Sequence, residues 1–143
     1  MRALFDVNVL IALLDAGHAF HRTAMDWLEE AVQWGWASCP ITQNGCIRIM
    51  SNPSYPAPLP ASVVAERLAE AGAGQEHTFW PDDISLLETH VFDWSYALSS
   101  RHVTDMYLLA LAAHHEGRLV TFDRRIDLRA VSRAEKEHLH VLR

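Results

Sequence analysis

Residues 2–14 read Arg-Ala-Leu-Phe-Asp-Val-Asn-Val-Leu-Ile-Ala-Leu-Leu. Arg2 to Phe5 has the length of a short strand, and Val7 to Leu14 has helical length with no breaker. The junction is Asp6, an acid among apolar neighbours, where an unpaired charge is costly to bury. A strand that runs straight into a helix is the repeating unit of a parallel α/β sheet.

The same alternation continues along the chain. Ala24, Trp27, Leu28, Ala31 and Val32 repeat at helical spacing, and Gly35 marks the end of that helix. Trp36 to Cys39 predicts a second strand closed by Pro40, with a helix over 41–50. Ser51 to Pro60 holds four of the six prolines and reads as a loop. Val64, Leu68 and Ala71 mark one face of the next helix, and His77 to Trp80 reads as a strand. Asp83 to Glu88 is expected to form a single helical turn capped by Asp82 or Asp83. The stretch 91–101 is ambiguous. Asp105 to Glu116 is apolar nearly all round, which predicts a central buried helix beginning at Asp105. Leu119 to Phe122 predicts a strand ending on Asp123, and Leu139 to Leu142 a last one. The expected architecture is a three-layer α/β fold, with a short parallel sheet between helices, in a single domain over 1–143.

Composition narrows the function classes. The chain has 143 residues, half of them hydrophobic, and a formal charge of −6. That balance argues against holding nucleic acid by bulk charge alone. It leaves room for a nuclease whose carboxylates are neutralised by bound metal. Cys39 and Cys46 are too few for a disulfide scaffold and lack zinc spacing. They read as reduced, buried side chains of a cytoplasmic protein. The nine histidines, including His18/His21 and His114/His115, form no His-Glu-x-x-His pattern and read as scattered surface residues. Asp6 and Asp15 interrupt the opening apolar run, so neither a signal peptide nor a membrane span is expected.

Parallel sheets place working residues beyond the carboxyl ends of their strands. Asp6 and Asp123 both follow strands. If those strands are neighbours, the two acids converge, and Asp105 joins them from the start of the buried helix. Capping is the plain structural explanation for Asp105. Unit charges about 4 Å apart repel by about 4 kcal/mol at an effective dielectric of about 20. A divalent cation removes that cost, and all-oxygen ligation suits Mg²⁺ or Mn²⁺, as one or two ions. The three carboxylates are then expected within roughly 8 Å of a common point.

Four blocks resemble the PIN-domain family, of the VapC kind. They are Leu4-Phe5-Asp6-Val7-Asn8-Val9-Leu10, Cys39-Pro40-Ile41-Thr42-Gln43-Asn44-Gly45 (followed by Ser51-Asn52-Pro53), His102-Val103-Thr104-Asp105-Met106-Tyr107, and Leu119-Val120-Thr121-Phe122-Asp123-Arg124-Arg125. They fall in family order and span nearly the whole chain. The resemblance implies a metal-dependent endoribonuclease that acts as the toxin of a toxin–antitoxin pair, usually a homodimer inhibited by a VapB-like antitoxin. It implies Asp6 and Asp105 as principal metal ligands and Asp123 as completing the catalytic cluster, through water if not directly. Asn8 and Thr121 would orient these carboxylates. Gln43 stands where the family commonly has Glu. An amide keeps a metal-binding oxygen but cannot serve as a general base. Glu30 or Glu116 could supply the missing acid, although nothing in the sequence places them at the site.

Arg124, Arg125, Arg129 and Arg133 follow the last acid. They could grip an RNA backbone, or form a solvated face with Asp127 and Glu135 as partners. Trp27, Trp34, Trp36 and Trp94 exceed what a small core hides, which predicts self-association. Two other classes compete. A phosphotransfer domain also uses an Asp after a parallel strand, but wants a nearby lysine, and Lys136, the only lysine, is poorly placed. A PIN-fold module attenuated through Gln43 would bind RNA or a protein without cutting.

Overall fold

The computed structural model describes residues 1–143. Its elements are β1 (Ala3–Phe5), α1 (Val7–Leu14), α2 (His21–Ala31), β2 (Trp36–Ser38), α3 (Pro40–Met50), α4 (Ala61–Ala71), β3 (His77–Phe79), α5 (Arg101–His114), β4 (Arg118–Thr121) and β5 (Leu139–Val141). Short 3-10 turns lie between them, at Val32–Trp34, Trp94–Tyr96, Leu128–Ala130 and Lys136–His138. The strands form one parallel sheet in the order β3-β2-β1-β4-β5. Ala3 pairs with both Trp36 and Arg118, so β1 is central.

Side chains alternate across a strand, and this separates two cores. Ala3, Phe5, Trp36 and Val120 pack with Val9, Leu10, Ala24, Cys46, Met50 and Val64 from the first four helices. Leu4, Ala37 and Leu119 point the other way, onto Met106, Leu108, Leu109 and Leu111 of α5. The expected three layers are present. Every residue of α5 from Met106 to Ala112 is buried, because the sheet takes one side of the helix and the 84–97 and 126–134 segments take the other.

Gly35 carries the chain from the turn after α2 into β2 at φ +78°, and a Cβ there would lie 2.7 Å from the Glu76 carbonyl oxygen. Both conditions exclude a side chain.

Two expectations need correction. Residues 83–88 form no helix. The Asp83 carboxylate turns to His114 and His115 instead of capping, and the Ile84 carbonyl accepts from the Tyr107 hydroxyl at 3.0 Å. Tertiary partners thus take the groups that a local turn would have used. The buried helix also starts earlier than expected, at Arg101 with Ser100 as its N-cap. Residues 101–104 are mostly exposed, so no apolar periodicity announces that first turn.

Candidate metal-carboxylate site

The order of strands reverses at β1 and β4. Connections leave β1 towards β2 on one side, while β4 lies on the other. Such a point opens a crevice at the carboxyl ends of the two strands. Asp6 follows β1 directly, and Asp123 stands two residues past β4. Adjacent parallel strands therefore deliver both acids to one edge.

Asp6 is 5% exposed. Its Oδ1 accepts from the Val7 backbone N–H at 2.7 Å, and its Oδ2 accepts from the Thr121 hydroxyl at 2.7 Å. Thr121, fully buried on β4, also accepts from the Asp123 N–H at 3.0 Å. One hydroxyl therefore ties the two strand-end acids into register. Burial pushes the Asp6 carboxyl up, against the two hydrogen bonds, and the Asp123 charge adds to the rise.

Asp105 is the fifth residue of α5. The earlier helix start removes the capping explanation, and the carboxylate accepts no backbone hydrogen bond. Burial pushes it up to about 7, with the charges of Asp6 and then Asp123 contributing. The adjoining Asp123 carboxylate, as an acceptor, favours the protonated form of Asp105 and is itself lowered by it. Asp123 goes the other way. Its burial is outweighed by Arg125, which donates from its backbone N–H at 2.8 Å and from its guanidinium at 3.2 and 3.3 Å.

Asn8 is exposed in the first turn of α1. Arg124 is exposed, and Arg125 is engaged with Asp123. Arg129 pairs with Asp127 and lies over the Tyr96 ring. Gln43 is turned away from the acids. Its amide donates to the Ser38 hydroxyl at 3.0 Å, in a cleft lined by Ile47, Ala65, Leu68 and His77. The Ser38 hydroxyl also contacts the His77 ring at 2.8 Å, so Gln43 belongs to a polar link between β2, β3 and α3.

A second cleft, between α1, α3 and the start of α5, is walled by Val7, Ile41, Asn44, Arg48, Asp82 and Thr104. Asn44, Arg48 and Thr104 were not sequence candidates. The available signal was weak: Asn44 and Arg48 are four apart on a helix and so share a face.

The donor set fits a hard divalent cation. All its atoms are carboxylate oxygens, and the folded chain holds Asp105 against its own repulsion with neither a cap nor a direct cationic partner. An ion at this edge would relieve both.

A parallel α/β sheet with Asp6, Asp105 and Asp123 gathered at its switch point places the chain among α/β proteins with an acidic strand-end site. Comparison with known proteins makes the class specific. The PIN domain family pattern matches residues 3–133. Ribonuclease VapC44 of Mycobacterium tuberculosis is 49% identical over 142 residues, covering 99% of this chain and 100% of that protein. Ribonuclease VapC39 of the same organism is 46% identical over 125 residues, covering 86% of this chain and 89% of that one. Among solved structures, VapBC2 from Rickettsia felis, bound to a DNA fragment from its promoter, matches with a TM-score of 0.61 at 10% identity over the full length of both chains. VapC20 of M. tuberculosis, a toxin that cleaves the sarcin-ricin loop, matches at 0.57 and 13% identity, covering 81% of this chain and 85% of that one. The chain belongs to the PIN-domain family and, within it, to the VapC-type toxins.

Proposed function

We propose that this chain is a Mg²⁺- or Mn²⁺-dependent endoribonuclease, the toxin of a VapBC-type pair, and that residues 1–143 work as one PIN unit in the cytoplasm. The observation that carries the reading is the carboxylate cluster of Asp6, Asp105 and Asp123 at the β1/β4 edge, with Asp105 pushed up to about 7. Asp6 and Asp105 would hold one or two ions. Asp123, already gripped by Arg125, would complete the shell through water. When bound, the ion polarises a phosphodiester and activates water for in-line attack.

The chain's own groups do the rest. Thr121 fixes the rotamer of Asp6 through its 2.7 Å hydrogen bond, so the ligand oxygens are held before metal arrives. Asp105, pushed up to about 7 by burial and by its acidic neighbours, would have to give up its proton for an ion to bind. Arg48, Asn44 and Thr104 line the adjoining cleft, where amide, hydroxyl and guanidinium donors suit phosphate oxygens. Arg125, beside Asp123, and the exposed Arg124 would offer further guanidinium donors to the RNA backbone. Gln43 acts as a packing link through Ser38, and the nuclease works without a fourth acid at that position.

A VapB-like antitoxin would occupy the groove lined by Leu10, Leu13, Leu14, Met25, Leu28 and Val32. Its other walls are also apolar, except for Glu76. An amphipathic segment fits such a groove. Two copies of the chain would pair through exposed apolar residues such as Phe20, Trp34 and Leu98.

The deciding experiment is cleavage of RNA by the wild type and by Asp6→Asn, with Mg²⁺, with Mn²⁺ and with chelator. Cleavage only by the metal-loaded wild type supports the reading. Equal cleavage by Asp6→Asn overturns it, and RNA binding without cleavage by the loaded wild type favours the attenuated module.

A further inference from the structure

A second group of metal-binding side chains lies at the far end of α5. Asp105 and His114 are nine positions apart, about 13.5 Å along the helix at about 1.5 Å per residue. Here α5 ends at His114, with His115 as its C-cap. The cap residue leaves the helical path, which brings two consecutive imidazoles together, edge to face at 5.1 Å between ring centres. Asp83 reaches them from the segment after β3. Its Oδ1 lies 3.1 Å from His115 Nε2, and its Oδ2 lies 3.7 Å from His114 Nε2. The three ligand atoms all fall within 4.8 Å of one another.

We propose that Asp83, His114 and His115 form a binding site for a transition-metal ion of the zinc class, separate from the acidic edge. Bonds of about 2.0–2.1 Å in a tetrahedral shell place neighbouring ligand atoms about 3.3–3.4 Å apart. The separations of 3.1 Å (His115 Nε2 to Oδ1) and 3.7 Å (His114 Nε2 to Oδ2) lie on either side of that value, each to a different oxygen of the carboxylate, and an ion would replace the hydrogen bond that now joins His115 to Oδ1. Two imidazole nitrogens and one carboxylate oxygen select zinc, cobalt, nickel or copper over magnesium. The C-terminal end of α5 adds the negative end of the helix dipole, which favours a cation. His115 is already oriented, because its ring stacks on Trp80 at 4.6 Å and 11°. Asp83 and His114 also wall an open cleft of about 280 Å³, so water can fill the fourth coordination position.

An ion here would clip the irregular stretch after β3 to the end of α5. That stretch is held there by few regular hydrogen bonds, the Tyr107–Ile84 contact among them. Such an ion would have a structural role, independent of any ion at the acidic edge.

The test uses full-length protein stripped of metal, carrying Asp6→Asn and Asp105→Asn so that the acidic edge cannot report. Zn²⁺ is titrated against a chromophoric chelator, and Co²⁺ is followed by its visible ligand-field bands. The expected result is one equivalent of Zn²⁺ that excess Mg²⁺ does not displace, together with Co²⁺ bands of a four-coordinate nitrogen–oxygen site. Adding His114→Gln or His115→Gln should weaken Zn²⁺ at least about tenfold, which is about 1.4 kcal/mol, and Zn²⁺ should then raise the melting temperature less. Absence of a bound equivalent overturns the proposal. So does an affinity unchanged by both histidine substitutions, which would put the ion on another pair such as His18 and His21. None of these outcomes depends on RNA cleavage, so failure here leaves the nuclease reading untouched.

Discussion

At the scale of single residues, the proposed site depends on Asp105 and Thr121. The Asp105 carboxyl rises from an ordinary value of 3.8 to about 7 in the folded, metal-free chain. The folded state therefore holds its proton more tightly than the unfolded state. The stability tied to that proton is fully present below about pH 4 and is lost as pH rises through about 7. Metal-free Asp105→Asn should then melt higher than metal-free wild type at pH 8 and about level with it at pH 4, while losing RNA cleavage. Circular-dichroism melts at the two pH values check the sign, and a lower melting point at pH 8 would contradict the assignment. Mg²⁺ should stabilise the wild type more at pH 8 than at pH 5.5, because at the lower pH the ion must displace a proton. Thr121→Val removes the hydroxyl that orients Asp6 with little change in shape. Loss of such an outer partner typically costs 10–100-fold in metal affinity or activity, roughly the drop expected when Mn²⁺ is titrated against cleavage rate.

At the level of elements, the crossing of α1 and α3 positions Asp6. A Cβ on Gly45 would lie 2.6 Å from Val7 Cγ2, and valine has little rotamer freedom with which to withdraw. Gly45→Ala should destabilise the protein by about 1–3 kcal/mol, the usual cost of overpacking, measurable as a shift in urea midpoint. Val7 follows Asp6 directly, so a displaced α1 should also lower cleavage measured well below the melting transition. A neutral effect on both would mean that the helices separate freely. The link through Ser38 gives Gln43 a comparable role on the other side of α3. Gln43→Glu should leave the metal requirement of cleavage unchanged, because the side chain faces Ser38 and His77 and not the acids.

Across the whole molecule, the proposed function puts catalysis and antitoxin binding on different surfaces. The apolar groove of α1, α2 and α4 is distinct in its lining from the acidic edge. Met25→Arg should abolish inhibition by a cognate antitoxin while leaving cleavage near wild type. Pull-down and cleavage assays on the same preparations separate the two effects, and inhibition surviving the substitution would move the partner elsewhere. Self-association is expected from the exposed Phe20, Trp34, Trp94 and Leu98. The tryptophan surplus is smaller than composition alone implied, because Trp36 is buried against Phe5 and His77. Light scattering at micromolar concentration should give a two-chain mass.

Sequence by itself determined the alternation of strands and helices, the buried character of α5 and the position of Asp6 and Asp123 after strands. These follow from local periodicity, which is set by side-chain spacing along the chain. It also carried the family, since the four blocks lie in elements that the fold requires to be contiguous. What it left open needed neighbours distant in the chain. The start of α5 is not legible in the sequence, because residues 101–104 are mostly exposed and carry no apolar periodicity. The partner of Gln43 was invisible, because only the packing of β2 beside β3 brings Ser38 and His77 together. The grouping of Asp83 with His114 and His115 is likewise tertiary: the acid and the imidazoles are more than 30 residues apart, and they meet because α5 crosses the sheet back to the segment that follows β3. Patterns of burial are written locally, whereas the direction in which a polar side chain points is decided by which strands and helices become neighbours.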